Sequence, residues 1–330
     1  MKVFIPGGAG YVGSKLVPAL LEEGYEVVVY DLFLYGDNIF DEIKDDSNLT
    51  LIKADIRDLN KIEKTIKGCD FVIHLACISN DPSFELNPKL GKSINLDCFE
   101  PFVKICKKNN IQRFIYASSS SVYGVKKEKN VTEDMTLEPL TDYSKFKVEC
   151  EKILLSNLDD DFICTVIRPA TVCGYAPRQR LDVIVNILTN LAYNRGKIKV
   201  IGGSQMRPNI HVDDMVRAYL AVLKAPKEKI QGEIFNAGYQ NYTVMELSKI
   251  VKNLVSKKRN VDLEVVPTND NRSYHVSSEK LQKKLGFVAK FTIEDAVEGL
   301  IEAFEENKLK DSLNNKLYFN IETMKAINLE

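Results

Sequence analysis

The chain lacks most of what metal, disulfide, membrane or nucleic-acid chemistry requires. Its 330 residues include no Trp and only three His, and its seven Cys stand at 69, 77, 98, 106, 150, 164 and 173. These Cys are odd in number, widely scattered and without a C-x-x-C pair, and only His74 lies close to one of them, Cys77. Such a set offers no zinc framework and reads as reduced, mostly buried thiols, so no metal is expected. An excess of one charge is also missing, because 45 Lys and Arg stand against 46 Asp and Glu, a net −1. General nucleic-acid and membrane-surface binders depend on excess cation, and the balance argues against both as partners. No apolar run reaches the roughly 18 residues of a spanning helix. The opening Met1-Lys2-Val3-Phe4-Ile5-Pro6-Gly7-Gly8 reaches glycine too early for a signal peptide. A cytoplasmic location is therefore the expectation. There is no internal repeat and no low-complexity tract.

What is present describes an ordinary folded chain. Apolar residues make up 45% and charged residues 28%, and the length suits two domains or one large elaborated domain. In the first half, short runs rich in Val, Ile and Phe alternate with longer amphipathic stretches. The runs are Lys2–Ile5, Glu26–Tyr30, Thr50–Lys53, Phe71–Leu75, Arg113–Ala117 and Phe162–Ile167. Low polar interruption marks strands of a parallel sheet covered on both faces. Helical patterns lie between them at Tyr11–Glu23, Asn60–Lys67, Pro88–Asn109 and Thr141–Ser156. Strand, helix, strand in repetition predicts an α/β fold with a doubly wound parallel (Rossmann) sheet. After Arg168-Pro169 the rhythm becomes irregular, with helices expected at Leu181–Asn194, Asp213–Leu223, Val244–Val255, Ser278–Leu285 and Ile293–Glu305. Strands are expected at Lys197–Ile201 and Ile234–Asn236. The expected division is a dinucleotide-binding domain of residues 1–167 plus about 205–236, and a smaller α+β cap of about 168–204 plus 237–330.

Gly7-Gly8-Ala9-Gly10-Tyr11-Val12-Gly13 follows the first strand and opens the first helix. Glycines at 7, 10 and 13 allow a tight turn, close backbone approach to a pyrophosphate and close helix–sheet packing. Tyr11 and Val12 begin a helix whose free N–H groups and partial positive charge suit an anion. Asp31 ends the second strand 18 residues beyond Gly13, near the spacing at which a carboxylate reaches the adenosine ribose and repels a 2′-phosphate. NAD is favoured over NADP. After the third strand, Asp55 and Ile56 are candidates to contact the adenine, with a simple helix cap as the other reading of Asp55.

Tyr143 and Lys147 stand four residues apart on one face of a helix, and Ser118–Ser121 follows the fifth strand on the sheet edge that carries the glycine turn. Taking hydride from a carbinol carbon requires a base for the hydroxyl proton. A phenol ordinarily ionises at a pKa of about 10, and bringing it to neutrality costs roughly 4 kcal/mol. A neighbouring ammonium group can supply that by favouring the phenolate.

These motifs resemble those of the extended short-chain dehydrogenase/reductase family, in particular its nucleotide-sugar epimerases, dehydratases and dehydrogenases. Ile5–Gly13 is similar to the family's cofactor turn, His74-Leu75-Ala76 to its fourth-strand motif, and Asn95 to an asparagine in the following helix. Ser118–Gly124 and the Tyr143/Lys147 pair resemble the catalytic motifs, and Arg168-Pro169-Ala170-Thr171-Val172-Cys173-Gly174 resembles a segment beside the nicotinamide. The resemblance implies Tyr143 as base, Lys147 on the nicotinamide ribose and Ser119 on the reacting hydroxyl. It also implies cofactor contacts from Leu75, Ala76, Asn95, Ser118, Pro169 and Val172. In the cap, Arg207-Pro208-Asn209-Ile210-His211-Val212-Asp213-Asp214 is similar to a segment whose arginine binds a nucleotide diphosphate. Arg272 matches a second such arginine, and Arg178, Arg180 and Asn186 lie in a segment that flanks the nucleotide. The loop containing Ser79 and Asn80 is expected to face the hexose. His74 and His211 read as structural.

Three departures from the family pattern stand out. Pro6 replaces the usual Thr, Pro208 replaces the usual Asp, and Ser120 and Ser121 occupy positions where family dehydratases carry an acid. A serine hydroxyl is far too weak an acid for that role, so dehydration is disfavoured. The resemblance then implies an NAD-dependent C4 epimerase of a nucleoside-diphosphate sugar working through a 4-keto intermediate, with a C4 dehydrogenase/reductase as the alternative. A non-catalytic NAD-sensing regulator on the same fold would not need Tyr143 and Lys147, which this chain keeps. A homodimer is expected by resemblance, formed through Pro88–Asn109 and Thr141–Ser156. The apolar residues there, Phe102 and Ile105 among them, suit an intramolecular core equally well.

Overall fold

The computed structural model describes residues 1–79, 81–128, 130–268, 273 and 275–327. Among these residues the strands are, in chain order, β1 (Lys2–Pro6), β2 (Glu26–Asp31), β3 (Leu49–Lys53), β4 (Phe71–His74), β5 (Arg113–Ala117), β6 (Ile163–Pro169), β7 (Thr171–Cys173), β8 (Lys197–Ile201), β9 (Met206–His211), β10 (Ile234–Ala237), β11 (Gln240–Thr243) and β12 (Asp262–Val266). Seven of them form one parallel sheet in the order β10-β6-β5-β4-β1-β2-β3. The fold is a Rossmann-type α/β sheet flanked by helices. The chain changes its direction of growth at β1, so connections leave to opposite sides of the sheet at β1 and β4 and open a crevice at their carboxyl ends.

The two-residue period of a strand divides the apolar runs between two cores. Val3, Ile5, Val27, Val29, Ile73 and Ile115 face one, with Leu16, Val17 and Leu20 of helix Gly13–Glu22 and Met215 and Tyr219 of helix Val212–Lys224. Phe4, Val28, Tyr30, Val72, Phe114 and Tyr116 face the other, with Phe99, Phe102 and Val103 of helix Phe99–Lys108 and Cys150 and Leu154 of helix Asp142–Ser156. β3 departs from the expected full coverage, since all five of its residues are exposed or half-buried. As the last strand of the sheet it has a neighbour on one side only.

A third core joins helices Ile184–Arg195, Val244–Val255 and Ile293–Glu305 to Ile198 and Val200 of β8. Two small sheets accompany it, β11-β9-β7 and β12-β8. The sequence pattern did not anticipate β7, β11, β12 or the helix Asn320–Ala326, all of them short. The stretch read as one helix over Pro88–Asn109 has three parts: Pro88–Lys92, a π-helical turn Ser93–Asp97 and the α-helix Phe99–Lys108. Phe102 is fully buried in this chain's own core and Ile105 packs against that core. Ion pairs Lys104–Glu100 and Lys152–Glu149 occupy exposed positions on these helices.

His74, the last residue of β4, sits in the second core with its ring centroid 5.3 Å from Phe99, 5.4 Å from Phe102, 6.0 Å from Phe114 and 5.7 Å from Tyr116. Neither ring nitrogen has a hydrogen-bond partner among the described residues. Burial, with the Lys147 cation adding to it, pushes the pKa down to about 3. The unfolded chain takes up this proton near an ordinary pKa of about 6.5, and the folded chain does not until about 3. Stability from this group is therefore complete above pH ~6.5 and declines toward pH ~3 by roughly 1 kcal/mol per pH unit. Urea midpoints measured between pH 7 and pH 4 should fall more steeply for the wild type than for His74→Phe, which removes the titrating ring.

Candidate active site

The crevice holds a cavity of about 380 Å³ walled by residues from both halves of the chain. Its floor is the turn after β1. Gly7 has a φ of +80°, and a Cβ there would stand 2.4 Å from the backbone N of Ala76. A Cβ on Gly13 would stand 2.2 Å from the carbonyl oxygen of Gly8. Neither obstacle is a movable side chain, so both positions require glycine. Pro6, which has no N–H to give, is accommodated because the turn closes through Gly7 N to Tyr30 O at 2.9 Å and Gly8 N to Ile5 O at 3.2 Å.

Helix Gly13–Glu22 begins with no side-chain cap and no acidic residue in its first turn. Its first residue, Gly13, lines the cavity beside Gly10, Tyr11 and Val12, so the helix brings there the partial positive charge that suits a phosphate. Asp31 stands at the end of β2 with Oδ2 accepting from Ala9 N at 3.0 Å and Oδ1 from Phe33 N at 2.8 Å. Burial raises its pKa above the ordinary carboxylate value, against the lowering effect of these amides and of Arg178. Leu32, Leu34, Ala54 and Ile56 form an apolar wall next to it. An uncapped amide end, a glycine cradle, one carboxylate and an apolar slot together fit a dinucleotide. Asp55 lies outside the cavity wall, its carboxylate held by the Arg57 guanidinium at 2.7–3.0 Å.

At the other end of the cavity, Ser118, Ser119, Ser120, Ser121, Tyr143, Lys147, Pro169 and Val172 line the wall together. Thr141 and Ser144 form a capping box that fixes the start of helix Asp142–Ser156 and so places Tyr143 in its first turn. One turn later Lys147, 4% exposed, donates from Nζ to Ala117 O at 2.6 Å and stands 5.7 Å from the Tyr143 ring centroid. Ser119 Oγ accepts from Ser121 N at 3.1 Å and shares a 2.9 Å hydrogen bond with Ser121 Oγ. Ser118 Oγ donates to Glu151 Oε1, so its hydroxyl serves the interior. Glu151 receives two bonds from Arg168, at 3.0 and 2.6 Å. Arg168 Nη1 in turn donates to Tyr123 OH, and Tyr123 OH to Asn236 Oδ1. Burial alone would lower the Arg168 pKa, but the Glu151 carboxylate raises it above the ordinary value.

Several expected contacts lie elsewhere. Asn95 accepts from Ile78 N at 2.8 Å and donates to Ile78 O at 3.0 Å, bracing the loop after β4 from outside the cavity wall. Asn186 is fully buried, and its amide group binds Gly174 N, Tyr11 OH and Arg180 O behind the wall. Arg207 is on β9, opposite Tyr242 of β11, outside the wall. Asn80 and Arg272 lie outside the described residues. His211 has the structural role expected of it, accepting from Asp213 N at the start of helix Val212–Lys224. Conversely, the cavity recruits Tyr35, Tyr219, Asn320 and Met324, which sequence reasoning missed. Only the one-turn spacing of Asn320 and Met324 hinted at a shared helix face.

A family model described as NAD dependent epimerase/dehydratase family matches residues 3–238. The UDP-glucose 4-epimerase of Lactobacillus helveticus is 28% identical over 275 residues, which cover 76% of this chain and 82% of the relative. The dTDP-D-glucose 4,6-dehydratase of Bos taurus is 27% identical over 325 residues, covering 93% and 89%. Among solved structures, a UDP-glucuronic acid 4-epimerase from Bacillus cereus, in complex with UDP-glucuronic acid and NAD, superposes with a TM-score of 0.83. It is 24% identical and is covered over 93% of this chain and 100% of its own, a likeness of fold.

The buried Glu151–Arg168 pair predicts a large effect of one truncation. Glu151→Ala leaves the Arg168 charge uncompensated in the interior and is expected to cost about 3–5 kcal/mol, read from urea unfolding at pH 7.

Proposed function

Because the chain belongs to the NAD dependent epimerase/dehydratase family, we propose that it is an NAD-dependent C4 epimerase of a nucleoside-diphosphate hexose or a related sugar. The observation that carries this reading is the composition of the cavity wall. Its one carboxylate among the described residues is Asp31, at the dinucleotide end, whereas Ser120 and Ser121 follow Ser119 beside Tyr143. Elimination of water needs a proton donor strong enough to convert hydroxide into a leaving group, and a serine hydroxyl is not one. Inversion at C4 needs, besides a reversible hydride acceptor, only a base that gives its proton back.

In this reading Gly7, Gly10, Tyr11, Val12, Gly13, Asp31, Ile56, Leu75, Ala76, Pro169 and Val172 hold NAD, which when bound supplies the reversible two-electron acceptor that oxidation of a carbinol requires. Tyr143 takes the C4 hydroxyl proton. The Lys147 ammonium, held by Ala117 O, favours the phenolate through its charge. Ser119 hydrogen-bonds the same sugar oxygen, with its own hydroxyl oriented by Ser121. Ser79, on the cavity wall, contacts the sugar. The 4-keto sugar then turns its other face, C4 regains on that face the hydride equivalent it gave up, and Tyr143 returns the proton to the C4 oxygen, leaving C4 inverted.

The test is incubation of the purified protein with UDP-glucose, UDP-glucuronic acid and dTDP-glucose, followed by separation and mass measurement of the products. A product of unchanged mass and inverted C4 is expected, and Tyr143→Phe should slow its formation by roughly 10²–10⁴-fold. A product lighter by one water, or no conversion of any nucleotide sugar, would overturn the reading.

A further inference from the structure

Among the described residues the cavity wall carries three cations, Lys147, Arg178 and Arg180, against the single carboxylate of Asp31. Two of the cations are already engaged. Lys147 is held by Ala117 O beside Tyr143, and Arg180 Nε donates to Asp182 Oδ1 at 2.6 Å in an ion pair. Arg178 has no such ion pair among the described residues. The residue is nonetheless fixed at three points, one on its backbone and two on its side chain. Its backbone N donates to Ser14 Oγ at 3.2 Å, which ties this loop to the first turn of helix Gly13–Glu22. Its guanidinium lies 3.6 Å from the Tyr35 ring centroid. Its Nη2 donates to Asn320 Oδ1 at 2.5 Å.

Asn320 is itself anchored, with its backbone N donating to Asp182 Oδ2 at 2.9 Å and its Nδ2 to Ser79 Oγ at 2.8 Å. Nε of Arg178 is a buried donor with no partner among the described residues, in a side chain only 4% exposed. Leaving such a donor unmatched is costly. Burial brings the Arg178 pKa down to about 10, so the group stays protonated near neutrality.

Position decides which anion this donor meets. Arg178 is close enough to Asp31 for their charges to interact, and its loop is bonded to the helix that opens at the glycine turn. Arg180, by contrast, is the arginine whose charge interacts with Tyr143. Lys15, also in the first turn of that helix, pairs with Asp213 at 3.0 Å. We infer that Arg178 is the counter-ion for the diphosphate of the dinucleotide, and that Asn320, from the helix Asn320–Ala326, is its positioning residue. The inference rests on the NAD reading of the cavity. It moves Arg178 from the sugar nucleotide, where family resemblance placed it, to the cofactor. A guanidinium suits the role because its planar fork can present donors to phosphate oxygens while stacking on an aromatic face.

The test compares wild type, Arg178→Gln and Asn320→Ala as full chains, each checked for its far-ultraviolet circular dichroism. Exchange of bound NAD for isotopically labelled NAD is followed by mass, and UDP affinity is measured by calorimetry. Arg178→Gln is expected to speed exchange by roughly 10- to 100-fold, the worth of one charge-assisted hydrogen bond, while UDP affinity stays unchanged. Asn320→Ala is expected to shift exchange in the same direction by a smaller factor. Exchange unaltered in Arg178→Gln, or a loss of UDP affinity in its place, would overturn the inference and leave the epimerase reading standing. If Arg178→Gln does not fold, Asn320→Ala decides, and unchanged exchange in that variant overturns the inference. A wild type that binds no NAD would overturn both readings.

Discussion

The site depends first on how tightly the turn after β1 is pressed against the end of β4. With Gly7 at a φ of +80° and the space for its missing Cβ filled by the backbone of Ala76, the two strand ends sit as close as backbones allow. The same economy at Gly13 brings the helix against Gly8. A floor this thin brings the amide end of helix Gly13–Glu22 to the cavity, and Tyr11 then reaches across to Gly174 O at 2.6 Å. One steric constraint thus sets the depth of the crevice, the aim of the helix and the distance at which the second half of the chain packs over it.

A second constraint lies behind the serines. β5, β6 and helix Asp142–Ser156 meet through the chain Ser118–Glu151–Arg168–Tyr123–Asn236. All these groups are buried, so each charge and hydroxyl needs the next to offset its desolvation. The network holds the helix that carries Tyr143 and Lys147 in register with the strand end that carries Ser119. Tyr143 and Lys147 are therefore mounted on a rigid helix, and Ser119 just beyond a strand end.

Much of this was legible in the sequence for a local reason. Alternating Val, Ile and Phe in runs of four to six residues announces buried strands. Gly7, Gly10 and Gly13 sit in an interval short enough that a turn is the only compact solution, and Tyr143 and Lys147 lie within one helical turn. Residues that act at long range were less readable. Asn186 looked like a ligand from its segment, yet its amide is consumed by Gly174, Tyr11 and Arg180. Asn95 looked like a cofactor contact and instead braces Ile78. Nothing in the composition of residues 316–326 indicated that Asn320 and Met324 would return to the cavity wall.

The amino-acid order alone determined the parallel sheet, the dinucleotide turn, the acid at Asp31 and the Tyr143/Lys147 pair, because each is encoded by spacings that a single strand, turn or helix converts into geometry. Tertiary structure alone decided which polar groups are free to act. Whether a buried Asn, Arg or Ser faces a ligand or a protein neighbour depends on partners up to 241 residues away, as Ser79 and Asn320 show. Donors and acceptors committed to such neighbours, as both ends of the Asn186 amide are, are withdrawn from any ligand, and only packing reveals which those are.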